Sequence, residues 1–310
     1  MVPMRLRRLA LAAAIASLAA ASACGGGGKP AALIIYEANT AGVVNIFTID
    51  PTTAASKQIT HGDAFDGNPA WSPDRKHIIF SSNRNQEDVR MNEVLVMDAD
   101  GRNVRNLTNT EKGSEWSPKY SPDGARIAYA ITTGDGAYHL GLMDADGSNP
   151  QEVAGPYRFV EFPSWTRDGR EVFFSAIALE SNDVDIYSID VATKDVRTRI
   201  STPAADLCPH FTHDGKSMTY ATVDPAQGYG GNVDVFRHDL ASDDTTAASD
   251  ERITDADGSD DYANPSPDDR SFVFITNRDG NFEMYLMDAD GSNPRRLTNT
   301  PDTRENVPDW

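Results

Sequence analysis

The chain has 310 residues, a formal net charge of −19 and only two cysteines. So large an excess of acid repels nucleic acid and anionic lipid headgroups, which leaves a basic peptide, an envelope protein, a cation or a neutral ligand as partner chemistry. Two cysteines also rule out a disulfide-stapled scaffold.

In chain order, Arg5, Arg7 and Arg8 come first, then an apolar run from Leu9 to Ala20, then Ala21, Ser22 and Ala23 before Cys24. That order is an export signal. A cysteine directly behind small residues is what lipoprotein signal peptidase needs, because it cleaves before a cysteine carrying a diacylglyceryl thioether; Ala21 stands where leucine is usual. The expectation is a signal peptide over 1–23, a lipidated Cys24 with a tether rich in glycine through residue 30, and a folded body from 31 to 310. An ordinary secretory signal and a single anchor helix are the alternatives, but the run is short and rich in alanine for a membrane span. Cys208 then has no intramolecular partner and reads as a small buried hydrophobe.

Five later segments share one phase: WSPDRKHIIFSS from Trp71, YSPDGARIAYAI from Tyr120, WTRDGREVFFSA from Trp165, FTHDGKSMTYAT from Phe211 and PSPDDRSFVFIT from Pro265. In each, an aromatic follows nine residues after the opening position, at Phe80, Tyr129, Phe174, Tyr220 and Phe274. A third short run ends in aspartate at Asp98, Asp144, Asp190, Asp239 and Asp288, and a fourth centres on Leu107, Val153, Ile200, Ile253 and Leu297. The runs are rich in β-branched and aromatic residues and bounded by Gly, Asp, Asn and Pro, which predicts strands and turns throughout. Four short strands repeating every 45 to 54 residues are what propeller blades show.

The segment from residue 31 supplies strands two to four of a sixth unit, through Tyr36, Asp50 and Ile59, without an opening strand. The run NVPDW up to Trp310 is that missing strand. Because a ragged ring would expose two sheet edges, the carboxyl-terminal strand is expected to complete the first blade. The predicted fold is therefore all-β, a six-bladed propeller closed by its last strand.

The pattern P-x-W-S-P-D-G, then an I-A-F-like strand, an M-D-x-D-G hairpin and an L-T strand, resembles the TolB-type propeller repeat. Pro69 to Asp74, Tyr120 to Gly124, the MDADG copies from Met97, Met143 and Met287, and the LTNT runs at Leu107 and Leu297 carry the likeness. It implies the fold over residues 31 to 310. For function it leaves several outcomes open, since similar propellers serve as scaffolds, as gating domains of peptidases and as lyases of acidic sugars.

Candidate sites follow from blade geometry. Three residues before each entering proline stand Asp66, Glu115, Asp206 and Glu305; Glu161 follows Val160 at that position, and Asp260 with Asp261 fall nearby where the proline is absent. These carboxylates are expected to ring one channel mouth and attract a cation or basic peptide, unless they are repeat consensus for a turn. Strict alternation turns Ala70, Lys119, Ser164, His210, Asn264 and Asp309 toward the axis as a wet, chemically mixed lining. The DADG turns at Asp98/Asp100, Asp144/Asp146 and Asp288/Asp290, with Asp255/Asp257 as a looser echo, suggest calcium. They lack the third acidic position and the distal glutamate of an EF-hand loop, and a tight hairpin explains them without a metal.

No G-x-S-x-G elbow occurs. Of His61, His77, His139, His210, His213 and His238, only His210 is expected at the channel. The reading is a non-catalytic envelope lipoprotein, monomeric and without cofactor, that binds a partner through its acidic face. The alternatives are a Tol–Pal-like envelope role and a lyase or hydrolase of acidic sugars, which requires side chains of several blades to converge on one channel pocket.

Overall fold

The computed structural model describes residues 32–86, 91–110, 113–223 and 232–310. The expected signal peptide, the tether and Cys24 lie outside the described residues. The described residues are all-β, in six four-stranded antiparallel sheets.

The innermost strands are Thr303–Asp309 in the first blade, then Asp66–Trp71, Gly113–Tyr120, Phe159–Trp165, Leu207–Phe211 and Asp260–Pro265 in the second to sixth. Each pairs with a second strand: Ile34–Thr40, His77–Ser82, Arg126–Thr133, Glu171–Ile177, Ser217–Val223 and Ser271–Thr276. Third strands ending in aspartate and short fourth strands complete the blades. Several fourth strands end just before the residues on which the sequence centres them. Leu107, Ile253 and Leu297 instead bond singly back to Val94, Val235 and Met284.

Closure by the tail is observed. Thr303 pairs with Thr40 and Asp309 with Ile35, so the last strand becomes the inner edge of the first blade. The Trp310 indole N–H donates to the Ala32 carbonyl at 2.9 Å, and Thr40 and Thr303 hydroxyls meet at 2.9 Å. With this strand in place every inner strand has a neighbour on both sides, and no inner edge is left to recruit another chain.

The core lies between blades. The aromatic of each second strand, Tyr36, Phe80, Tyr129, Phe174, Tyr220 and Phe274, is buried in all six. Gly141 stands opposite Tyr129 where other blades carry a side chain, because a Cβ there would lie 2.5 Å from the Tyr129 ring. Cys208 is a buried free thiol, and burial pushes it well above the usual thiol range.

Candidate functional site

One backbone irregularity sets the chemistry of both channel ends. Asn68, Ser117, Phe162, Cys208, Tyr262 and Val307 occupy the same place in the six inner strands, and all have positive φ between 45° and 56°. At each place the pairing register with the second strand slips, in the fourth blade between Glu161 and Ser164. This is a β-bulge, and its extra residue inverts the inward and outward alternation on either side.

The bulge corrects the acidic mouth expected from the sequence. Asp66, Glu115, Asp206, Asp260 and Glu305 are at most 1% exposed. Asp66 is paired with Arg84 at 2.5 Å and accepts from the Ser82 hydroxyl at 2.6 Å. Asp260 is paired with Arg278 at 2.9 Å. Asp206 accepts from the Thr202 amide and hydroxyl at 2.8 and 2.9 Å, Glu115 from the Thr108 hydroxyl at 3.2 Å, and Glu305 from the Thr300 hydroxyl. Burial pushes Asp206 up to about 6 and Glu305 up to about 7. These five are internal struts of the blades, not a charged rim.

Of the expected set, Glu161 and Asp261 are placed otherwise, each directly before a ring, Phe162 or Tyr262, that meets the other across the axis. Glu37, on the second strand of the first blade and opposite Asn306, joins them. Its carboxylate accepts the Asn68 amide of the next blade at 2.7 Å, and Gly67 leaves room for it, since a Cβ there would sit 2.5 Å from the carboxylate oxygen. Burial raises all three: Glu37 in direction, Glu161 to about 7 with the Glu37 charge as second cause, and Asp261 to about 6. Arg304 counters the rise at Glu37 and Asp261. No pattern in the entering loops marks Glu37, because it lies on a second strand.

Between the ends the axis is blocked, which corrects the expectation of a wet channel. Phe162 and Tyr262, from blades that are not neighbours, meet edge to face at 5.3 Å, with Leu207 and Val307 packed against the same cluster.

The other end is an open funnel of about 440 Å³. Lys119, Ser164, His210, Asn264 and Asp309 all line it; Ala70 is buried and does not. Trp71, Tyr120, Trp165, Phe211 and Trp310 form its wall, with Arg75, Arg167 and His213 from the turns that follow. His213 was expected off the channel; it is placed there because Asp269 of the sixth blade accepts its amide at 2.7 Å and draws the turn inward.

Geometry fixes what these groups can do. Lys119 and Asp309 come from blades separated by another, so their ion pair spans the funnel floor. Burial works against the Asp309 charge, but Lys119 and the Trp71 amide at 2.8 Å hold its carboxyl below the ordinary range. His210 Nδ1 lies 2.9 Å from the Cys208 carbonyl and must donate to it, which leaves Nε2 as an acceptor. Burial, then the nearby Lys119 charge, lowers His210 to about 4, so it is neutral at pH 7. Trp165 donates its indole N–H to the Lys119 carbonyl at 3.1 Å, and Arg75 lies 4.8 Å over the Trp71 ring.

The DADG hairpins lie at the turns between third and fourth strands. Their side chains are taken up locally: Asp98 accepts from Asn103 at 2.6 Å, Asp144 from Asn149 and Asp288 from Asn293 at 2.7 Å, while Asp100, Asp146 and Asp290 accept amides two residues on. Gly147, at φ +91°, packs so closely on the Leu107 carbonyl of the preceding blade that a Cβ would lie 2.5 Å from it. The repeat thus serves contact between blades.

The model of the TolB beta propeller domain matches residues 130–310. The chain is 30% identical over 146 residues to a TolB homolog of Chlorobium chlorochromatii, covering 47% of this chain and 31% of that protein. It is 27% identical over 179 residues to the uncharacterized peptidase YuxL of Bacillus subtilis, covering 57% and 25%. Matched stretches span under half the length of these curated relatives. Among solved structures, TolB from Acinetobacter baumannii superposes with a TM-score of 0.73 at 18% identity, over 90% of this chain and 66% of that one.

Proposed function

The chain belongs to the TolB beta propeller domain family, and we propose that it is a non-catalytic cell-envelope protein, exported and lipid-anchored at Cys24, that binds its partner through the funnel at the closed channel. One observation carries this reading. Blade after blade repeats its buried aromatic and its strut, but the funnel receives a different polar group from each of five blades: Asp309, Lys119, Ser164, His210 and Asn264. Structural need repeats with the fold, whereas recognition calls for distinct groups placed at one opening, and 440 Å³ lies within the usual range of ligand sites. The likeness to proteins named TolB supports an envelope setting.

The same convergence supports a second reading, chemistry of the lyase or hydrolase kind. It ranks lower because a histidine lowered to about 4 is a poor base at neutral pH and Lys119 is tied to Asp309. The test is capture from solubilised envelopes by immobilised wild type and by Ser164→Trp, which fills the funnel from a position on its wall. Capture should vanish in the variant and also in Arg167→Trp, which narrows the mouth from an exposed rim position and should keep the melting temperature within a few degrees. Capture by Arg167→Trp equal to that by wild type would remove the funnel as the binding site.

A further inference from the structure

We propose that the funnel is built for a small organic anion with a flat apolar body, its charged head held by Arg167 with the Asn264 amide and the Ser164 hydroxyl and its body packed against Trp71, Tyr120 and Trp310. This rests on the reading of the funnel as a binding site and adds the class of ligand.

Three facts lead there. First, charge: in a chain of net −19, the side chains lining the funnel include Arg75, Lys119 and Arg167 against one carboxylate side chain, Asp309, with His210 neutral. A local excess of cation in an acidic protein is a site feature, because nothing in bulk composition produces it. The nearby turn aspartates do not reverse it. Asp74, Asp123, Asp168, Asp214 and Asp268 do not line the funnel, and each accepts a hydrogen bond from the serine or threonine two residues back at 2.6 to 2.8 Å. Four of them are also paired with a cation of their own turn, Asp74 with Lys76, Asp168 with Arg170, Asp214 with Lys216 and Asp268 with Arg270.

Second, unspent donors. Arg167 is exposed at the rim and, among the described residues, makes no ion pair or hydrogen bond. Arg75, by contrast, donates to the Leu33 carbonyl. Asn264 uses its side-chain oxygen on the Trp310 amide at 3.4 Å, which leaves its NH₂ for a ligand. Ser164 is buried to 6% exposure on the wall with its hydroxyl uncommitted. A planar guanidinium with an amide NH₂ and a hydroxyl nearby is a donor set for oxyanions.

Third, shape. The floor is shut by the Lys119–Asp309 pair and, beyond it, by Phe162 and Tyr262, so a ligand enters from one side and stops there. Half-buried Trp71, Tyr120 and Trp310 supply apolar wall with little rotamer entropy to lose.

Three of the four tryptophans line the funnel, so intrinsic fluorescence reads occupancy; Trp116 lies outside it. The probes are 2-naphthoate, 2-naphthyl phosphate and neutral 2-naphthalenemethanol, titrated into the intact chain. Saturable quenching by either anion, at least tenfold tighter than by the alcohol and weakened about tenfold in Arg167→Ala, supports the proposal, and the tighter anion identifies the head group. Trp116→Phe should keep the response and Ser164→Trp should lose it. Alcohol and anions binding alike would overturn the ligand class while leaving the funnel a site. No saturable response to any probe would overturn the ligand class too, and envelope capture that ignores Arg167→Trp is what would separately overturn the binding reading.

Discussion

The two ends of the channel are made from the same six strands and have opposite chemistry. On the entering side of the bulge, Glu37, Glu161 and Asp261 stand half-buried, and desolvation holds their carboxyls toward the neutral form. On the leaving side, Lys119, Arg75 and Arg167 stand among indole rings in an open funnel. The first end stores electrostatic cost inside the fold; the second presents charge to solvent. A net charge of −19 describes neither, because the surface acids and the axial groups answer to different dielectrics.

The comparison breaks first at the Lys119–Asp309 pair, where the largest effect is expected. Lys119→Met leaves Asp309, 8% exposed, without its cation. Removing one partner of a well-buried pair costs about 3–5 kcal/mol, and with Lys119 a quarter exposed the expected loss is about 2 kcal/mol, read as a lower denaturant midpoint at pH 7. Lys119→Met with Asp309→Asn should recover most of it; no recovery would mean that packing of the lysine stem, and not the pair, closes the floor.

At the acidic end the sign is reversed. Glu161 rises from the ordinary glutamate range to about 7 in the folded chain, so between roughly pH 4.5 and 7 the folded state holds a proton that the unfolded state has released. Stability from this group is full below pH 4.5 and falls as pH rises through 7. Glu161→Gln should therefore stabilise the protein by about 1–2 kcal/mol at pH 8 and by almost nothing at pH 4. An equal gain at both pH values would show the effect to be steric. His210 acts in the opposite direction, losing stability as pH falls from about 6.5 to 4, so the Gln variant must be read against wild type at each pH.

The smallest effect belongs outside the axis. Asp146 and Asp290 are exposed turn acids whose carboxyls sit below the ordinary range because Ser148 and Ser292 donate to them. Changing Asp100, Asp146 and Asp290 together to Asn should move the melting temperature by roughly 2 °C or less and leave funnel quenching unchanged. A large shift in quenching would mean that overall charge, and not the funnel, governs binding.

Much of this was legible in the chain. The aromatic nine residues into five units and the aspartate ending each third strand report burial and turns directly, because each is a local demand that the repeat restates, and the one surplus strand at Trp310 reports closure. The funnel residues Lys119, Ser164, His210, Asn264 and Asp309 were legible too, since they lie after the bulge, next to the proline used to count. Asp66, Glu115, Asp206, Asp260 and Glu305 were misplaced because they were read as loop residues at the channel mouth, whereas they stand at or next to the start of the inner strands, before the bulge, and turn into their blades. Glu37 and His213 reach their places through partners on other blades, Asn68 and Asp269, which no local pattern contains. Sequence alone determined the repeat, the strands and the ring, since hydrophobic period and turn chemistry are properties of neighbours in the chain. Tertiary structure alone decided which charges meet across the axis, because blades that are not neighbours in the ring come within contact distance only after it has closed.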